Sequence, residues 1–173
     1  MQGKSLLIIT GSMGAGKSSV LCEASDILAL QSIVHAALDL DAFGFAHLPS
    51  GASNDAVMYR NFQCVCKNYA ALGVRRFLVA RASEDRAALE CCREAVSANS
   101  AMVCRLIANI GTMRRRGKRR ESGVLQEQFV ARVARLNSIL DGARLEDFSV
   151  TSDDRSVTEI AHEMLLKAGW ISK

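Results

Sequence analysis

The chain has 173 residues, 49% of them hydrophobic and 23% charged, with a single proline. That balance describes one well-packed globular domain and excludes disordered, fibrous and low-complexity chains. The formal net charge is +4, yet six positive charges stand between Arg114 and Arg120, and without them the rest of the chain is net −2. The basicity is a local device facing some particular anion.

The N-terminal "MQGKSLLIITG" carries an apolar run too short for a targeting segment, and no later stretch approaches the ~20 apolar residues that span a bilayer. A cytoplasmic protein without a membrane partner is the expectation. "SLLII" (5–9) reads as a strand buried on both faces. It runs straight into a glycine turn, after which Val20, Leu21, Ala24, Ile27 and Leu28 recur at helical spacing from Lys17 to about Leu30.

The alternation then repeats. "IVHAALDLD" (33–41) reads as a second strand and residues 53–73 as a helix ending at Gly73. "RRFLVAR" (75–81) is a third strand, followed by a helix opened by Ser83 with Glu84 and Asp85 in its first turn, where the helix dipole favours anions. "AMVCRLIAN" (101–109) is a fourth strand. Past the basic run, Leu125, Phe129, Val133, Leu136 and Leu140 mark a further helix, and "DFSVTS" (147–152) a fifth strand. Ser156 and Glu159 form a capping box for the last helix, which closes near Gly169. Parallel neighbours require crossovers, so five strands alternating with helices predict a doubly wound α/β domain.

The six cysteines, at 22, 64, 66, 91, 92 and 104, lack the paired spacing of a zinc or redox site and read as reduced thiols, several buried as small hydrophobes. His35, His47 and His162 have no partner at a telling spacing and read as structural or incidental.

"GSMGAGKS" fits G-x-x-x-x-G-K-[S/T]. Glycines let the chain bend until successive N–H groups point inward, making a nest for phosphate oxygens at the positive end of the following helix. Gly11, Ser12, Met13, Gly14, Ala15, Gly16, Lys17, Ser18 and Ser19 would therefore hold a nucleotide, with Lys17 on the outer phosphates and the Ser18 hydroxyl on Mg²⁺. A chance match is expected on the order of once in a hundred chains of this size, and the strand before and helix after lower that further.

"LDLDAFG" places Asp39 and Asp41 at the carboxyl end of the second strand, where ligands sit in open α/β sheets. At i and i+2 on a strand the two carboxylates share a side. One would position Mg²⁺ through its waters and the other accept the proton of an attacking hydroxyl, Asp41 being the favoured base. In the basic run, guanidiniums closing over a transferring phosphoryl group would supply the charge stabilisation this reaction needs most; Arg116 and Arg120 are the candidates. The absence of interleaved aromatics argues against nucleic acid as the run's partner.

Taken together, the phosphate loop, the D-x-D of the second strand, "MRRRGKRRESG" and the terminal "FSVTSDDRSVTEIAHEMLLKAGW" resemble the small P-loop kinases of the nucleoside monophosphate kinase superfamily. The likeness spans nearly the whole chain and is nearest to shikimate, gluconate and chloramphenicol kinases. It implies a 2-3-1-4-5 parallel sheet, an arginine-bearing lid at about 112–123, Asp39 on the metal side and Asp41 on the substrate side. It also implies an adenine resting between Arg114 and the Ser152–Arg155 segment, Asp154 included. The stretch "NDAVMYRNFQ" falls where these kinases place their substrate region, with Arg60 the residue for gripping an anionic or hydroxylated acceptor.

The third strand departs from the pattern: it lacks the aspartate that many P-loop enzymes set there for Mg²⁺ and the D-G-x-P-R of nucleotide kinases. A small metabolite is therefore a better acceptor than a nucleoside monophosphate. The expectation is one domain, monomer or dimer, that moves the γ-phosphoryl group of ATP to a hydroxyl of a small molecule. The rival is a nucleotide-binding regulatory ATPase or module whose basic segment docks a partner or RNA.

Overall fold

Continuous apolar runs become the strands of the sheet. In this computed structural model, which describes residues 3–43, 46–120 and 126–172, β1 (Ser5–Thr10), β2 (Ala36–Asp39), β3 (Arg76–Ala80), β4 (Ser100–Ile107) and β5 (Phe148–Thr151) pair in parallel in the order β2-β3-β1-β4-β5. The helices are α1 (Lys17–Leu30), α2 (Asn54–Ala71), α3 (Arg86–Val96), α4 (Ile110–Arg120), α5 (Gln126–Ala143) and α6 (Val157–Lys167). Side chains of residues 119, 120 and 126–130 lie outside the description.

The sheet divides two apolar layers. Leu7 and Ile9 of β1 join Val20, Leu21, Ala24 and Leu28 of α1 and Ile160, Ala161, Met164 and Leu165 of α6 on one face. Leu6 and Ile8 face the other way, into Met58, Phe62 and Cys66 of α2 and Cys92, Ala95 and Val96 of α3. Burial on both faces is why β1 shows no polar alternation. At roughly 1.5–3 kcal/mol per fully buried aliphatic side chain, this central strand anchors the fold.

Local signals set the helix ends. Ser53 caps α2 by accepting from the Ala56 N–H, and the capping box of α6 forms as expected, Ser156 accepting from Glu159 N–H while the Glu159 carboxylate accepts from Ser156 N–H. Two expectations need correction. The third helix opens at Arg86 with Asp85 as its cap, at 2.8 Å from the Ala88 N–H, because Ser83 is drawn into the sheet, donating its N–H to Thr10 Oγ1 at 3.2 Å. The second strand stops at Asp39, and Leu40–Phe43 turn as a 3-10 helix. Asp39 Oδ1 accepts the Asp41 N–H at 3.2 Å, a local bond that competes with strand extension. Asp41 therefore sits on a turn and shares no strand face with Asp39.

The basic run, expected as part of a lid, is a helix over its described length. Its first turn is anchored: Met113 is 1% exposed and donates its N–H to Asn109 O at 2.9 Å. Gly123, Leu125 and the remainder of the expected lid (121–123) lie outside the described residues, as do the side chains of Arg120 and Phe129. Among the described residues no helix is long and apolar enough to cross a membrane.

Candidate active site

β1 delivers the chain to the glycine turn at the carboxyl edge of the sheet. Gly11, Gly14 and Gly16 have φ of 146°, 80° and 103°. Close approach adds a second constraint at two of them: a β-carbon on Gly11 would lie 2.7 Å from Leu106 O, and one on Gly14 2.6 Å from Met113 O. The turn is thus wedged between the end of β4 and the first turn of α4, and only glycine fits.

Gly16 occupies the cap position of α1 and offers no side chain to its N–H groups, and the first turn of α1 carries no acid. Those amides and the dipole behind them favour an anion. Lys17 Nζ lies 3.0 Å from Gly11 O and 3.3 Å from Ser12 O, curled over the loop it would share with phosphate oxygens. The Ser18 hydroxyl donates to Asp39 Oδ2 at 2.5 Å, which joins the loop to the end of β2. Hydroxyl and carboxylate together are the hard oxygen donors that Mg²⁺ takes beside a nucleotide, so the residues fit that ion. Among the described residues no three His, Cys, Asp or Glu cluster in a way that could hold a metal ion.

Arg116 lies on the other flank. Its guanidinium donates to Ser152 O at 3.0 Å and Ser152 Oγ at 3.2 Å, and reaches Gly14 O at 3.5 Å; the buried Ser152 hydroxyl donates in turn to Ala15 O at 3.0 Å. One arginine of the basic helix therefore touches the loop directly. Arg114 is exposed on α4, and Asp154 is exposed at φ 52° in the turn after β5. Its neighbour Asp153 braces that turn against α4 by accepting the Asn109 N–H at 2.6 Å.

The acceptor side has an organisation that the sequence concealed. One residue past β3 stands Arg81, whose Nη1 donates to Asp41 Oδ1 at 3.2 Å and Nη2 to Asp55 Oδ1 at 3.1 Å. Burial disfavours its charge, and Asp55, Tyr59 and Asp41 more than offset that, holding the guanidinium above its ordinary value. Arg60 is exposed on α2 and makes no part of this bridge. Tyr59 is structural: half-buried, it donates its hydroxyl to Ala88 O at 3.2 Å, and burial pushes its pKa upward. Arg81 was legible only as the last residue of "FLVAR"; that it pairs two acids distant in the chain was not.

Beyond the loop after β3, Glu84 faces Arg132, Arg135, Leu136 and Ile139 of α5 across a cleft of about 270 Å³. Ser12 Oγ donates to Val133 O at 3.1 Å, which places this cleft beside the glycine turn. His35 is structural, its ring between Ser25 Oγ and Ile33 O at 2.8 Å each. All six cysteines are free, with Cys66, Cys92 and Cys104 buried.

These features define the class of fold: a five-stranded parallel α/β sheet of order 2-3-1-4-5 with a glycine turn of the G-x-x-x-x-G-K-S pattern after β1. No family profile matches the chain, and no curated protein resembles it in sequence. Solved structures do resemble it. An unliganded sugar kinase from Janibacter sp. superposes with TM-score 0.64 at 16% identity, covering 97% of this chain and 95% of that one. A shikimate kinase from Acinetobacter baumannii, in complex with shikimate, gives 0.62 at 16% identity, with 99% and 97% covered. The APS kinase of Mycobacterium tuberculosis, in complex with AMPPNP and APS, gives 0.59 at 18% identity, with 98% and 99% covered. The five-stranded parallel sheet of order 2-3-1-4-5 with flanking helices is the fold the sequence implied.

Proposed function

We propose that the protein is an ATP- and Mg²⁺-dependent phosphotransferase acting on a hydroxyl group of a small molecule. The observation that carries this is the glycine turn joined to the end of β2 by the Ser18–Asp39 pair, with Asp41 on the turn that follows, its N–H bonded to Asp39 Oδ1. The phosphates of ATP lie along Gly11–Ser19, their charge met by backbone N–H groups, Lys17 and Arg116. Bound Mg²⁺ neutralises charge on the outer phosphates, and Ser18 and Asp39 are the residues that hold it.

The acceptor oxygen attacks the γ-phosphorus in line, the bond to the β–γ bridging oxygen breaks, and ADP departs with that electron pair. Asp41 takes the hydroxyl proton. Arg114 and the turn bearing Asp154 flank the adenine, and Arg60 with the α5 cleft faces the acceptor; Arg120, the other candidate of the basic run, has its side chain outside the described residues. The folds that the chain resembles belong to proteins whose printed names are kinases of small molecules, which supports this reaction class.

The test incubates purified protein with ATP, Mg²⁺ and metabolite pools and searches by mass spectrometry for a species heavier by one phosphate. Asp41→Asn should abolish transfer and keep ATP affinity. A protein that binds ATP, phosphorylates nothing and is indifferent to Asp41→Asn would be a regulatory nucleotide-binding module instead.

A further inference from the structure

Arg81 binds two carboxylates from separate elements, Asp41 on the turn after β2 and Asp55 in the first turn of α2. Its side chain is 19% exposed, while those of Asp41 and Asp55 are 54% and 67% exposed. The cation is the fixed member of this trio. Its backbone N–H donates to Ile9 O at 3.0 Å, which continues the β1–β3 pairing one residue beyond the strand, and its Nε is buried without a hydrogen-bond partner among the described residues. A guanidinium held with one N–H unsatisfied is kept there by its two carboxylates, since an orphaned buried donor costs about 1–3 kcal/mol.

The geometry points to Arg81 as a positioning residue that aims Asp41 and tethers the start of α2 to the sheet. This rests on the phosphotransferase reading, in which Asp41 accepts the proton. A carboxylate on an exposed turn is free to rotate; a base must be held within a fraction of an ångström of the hydroxyl it serves. Arg81 engages Asp41 Oδ1, leaving Oδ2 as the oxygen for the proton. Through Asp55 the same guanidinium locates Asn54–Val57, the entry to the helix that carries Arg60. The residue that follows β3 thus serves the acceptor side. Among the described residues the hydrogen bonds of the Arg81 side chain go to Asp41 and Asp55, so its effect on turnover passes through Asp41.

The experiment uses the full chain with Mg²⁺·ATP and water as the acceptor. Single-turnover phosphate release is measured for the parent, Arg81→Gln, Arg81→Lys and Asp55→Asn, beside AMPPNP affinity and amide hydrogen exchange. Arg81→Gln should lower the hydrolysis rate constant at least tenfold while ATP half-saturation and AMPPNP affinity stay within twofold, and should speed exchange at residues 40–43 and 54–57. Arg81→Lys, which keeps the charge but loses the fork, should fall between Arg81→Gln and the parent. Asp55→Asn should speed exchange at 54–57 and leave the rate constant within threefold.

An unchanged rate constant in Arg81→Gln overturns the proposal, as does unchanged exchange at both segments. A loss of AMPPNP affinity in parallel with rate also overturns it, because that is general damage to the fold. Should Arg81→Gln fail to fold, Arg81→Lys carries the rate and affinity criteria and Asp55→Asn the exchange criterion at residues 54–57. A parent protein that does not bind AMPPNP refutes the phosphotransferase reading itself, and that result is read before any variant is made.

Discussion

Ser18 Oγ donates to Asp39 Oδ2 at 2.5 Å, a bond between the first turn of α1 and the end of β2. It sets a hydroxyl and a carboxylate side by side next to the phosphate loop. Asp39→Asn preserves the shape and the acceptor for the Asp41 N–H but removes the charge. Expected is at least a tenfold rise in the Mg²⁺ concentration needed for half-maximal ATP turnover, with metal-free ATP affinity within threefold. A metal titration equal to the parent's would separate Asp39 from the cation.

Lys17 is the loop's side-chain cation, within reach of Gly11 O and Ser12 O. Lys17→Met should lower ATP turnover by ~10²–10³-fold, the scale of losing one preorganised charge at a developing anion. Circular dichroism and the melting temperature should match the parent, because the lysine contributes nothing to either apolar layer. Parental turnover in this variant would remove the loop from the reaction.

Gly14 combines φ of 80° with a β-carbon position 2.6 Å from Met113 O. Gly14→Ala should lower unfolding free energy by about 1–2 kcal/mol from the left-handed backbone alone, with further loss as α4 is pushed off the loop. Urea midpoints measure the first effect and AMPPNP titration the second. A midpoint equal to the parent's would mean the loop and α4 separate freely.

Burial pushes the thiols of Cys66, Cys92 and Cys104 up to about 12, while Cys22, Cys64 and Cys91 are exposed. At pH 8 a disulfide reagent should titrate three thiols quickly, the other three reacting only as fast as the protein opens. Because the folded-state values lie above those of the unfolded chain, their contribution to stability is complete below about pH 8.5 and is lost as pH rises toward about 12. Six fast thiols would contradict the packing of both layers.

Glu159 and Glu163 run the opposite way. Hydrogen bonds from Ser156 lower Glu159, and Lys167, then Arg155, lower Glu163. Folded values below the unfolded ones mean stability is present above about pH 4.3 and lost as pH falls further. Ser156→Ala should cost ~1 kcal/mol at pH 7 and flatten this acid loss, seen in melting temperatures between pH 3 and 7. An unchanged acid profile would mean the cap of α6 is not coupled to these acids.

Much of this was legible in order along the chain. The apolar run of β1, the glycine spacing and the Ser156–Glu159 box are local patterns with local causes, and each formed where the residues predicted it. The glycine turn reads easily because its pattern sits in eight consecutive residues. Where a local signal was overridden, reading failed: Ser83 read as the cap with Asp85 in the first turn, but Ser83 is bonded to Thr10 and Asp85 caps the helix instead.

The amino-acid order alone determined the alternation of strands and helices, the glycine turn and the supply of acids in the segment after β2, since each depends on neighbours within a few residues. Only the tertiary structure decided that Asp41 leaves the strand, that Met113 backs Gly14, that Arg116 closes on Ser152, and that Arg81 bridges acids 40 and 26 positions away. Such pairings depend on which strand lies beside which. Sheet order brings the ends of β2, β3 and β1 to one edge, and side chains remote in sequence meet there because the crossovers leave them nowhere else to go.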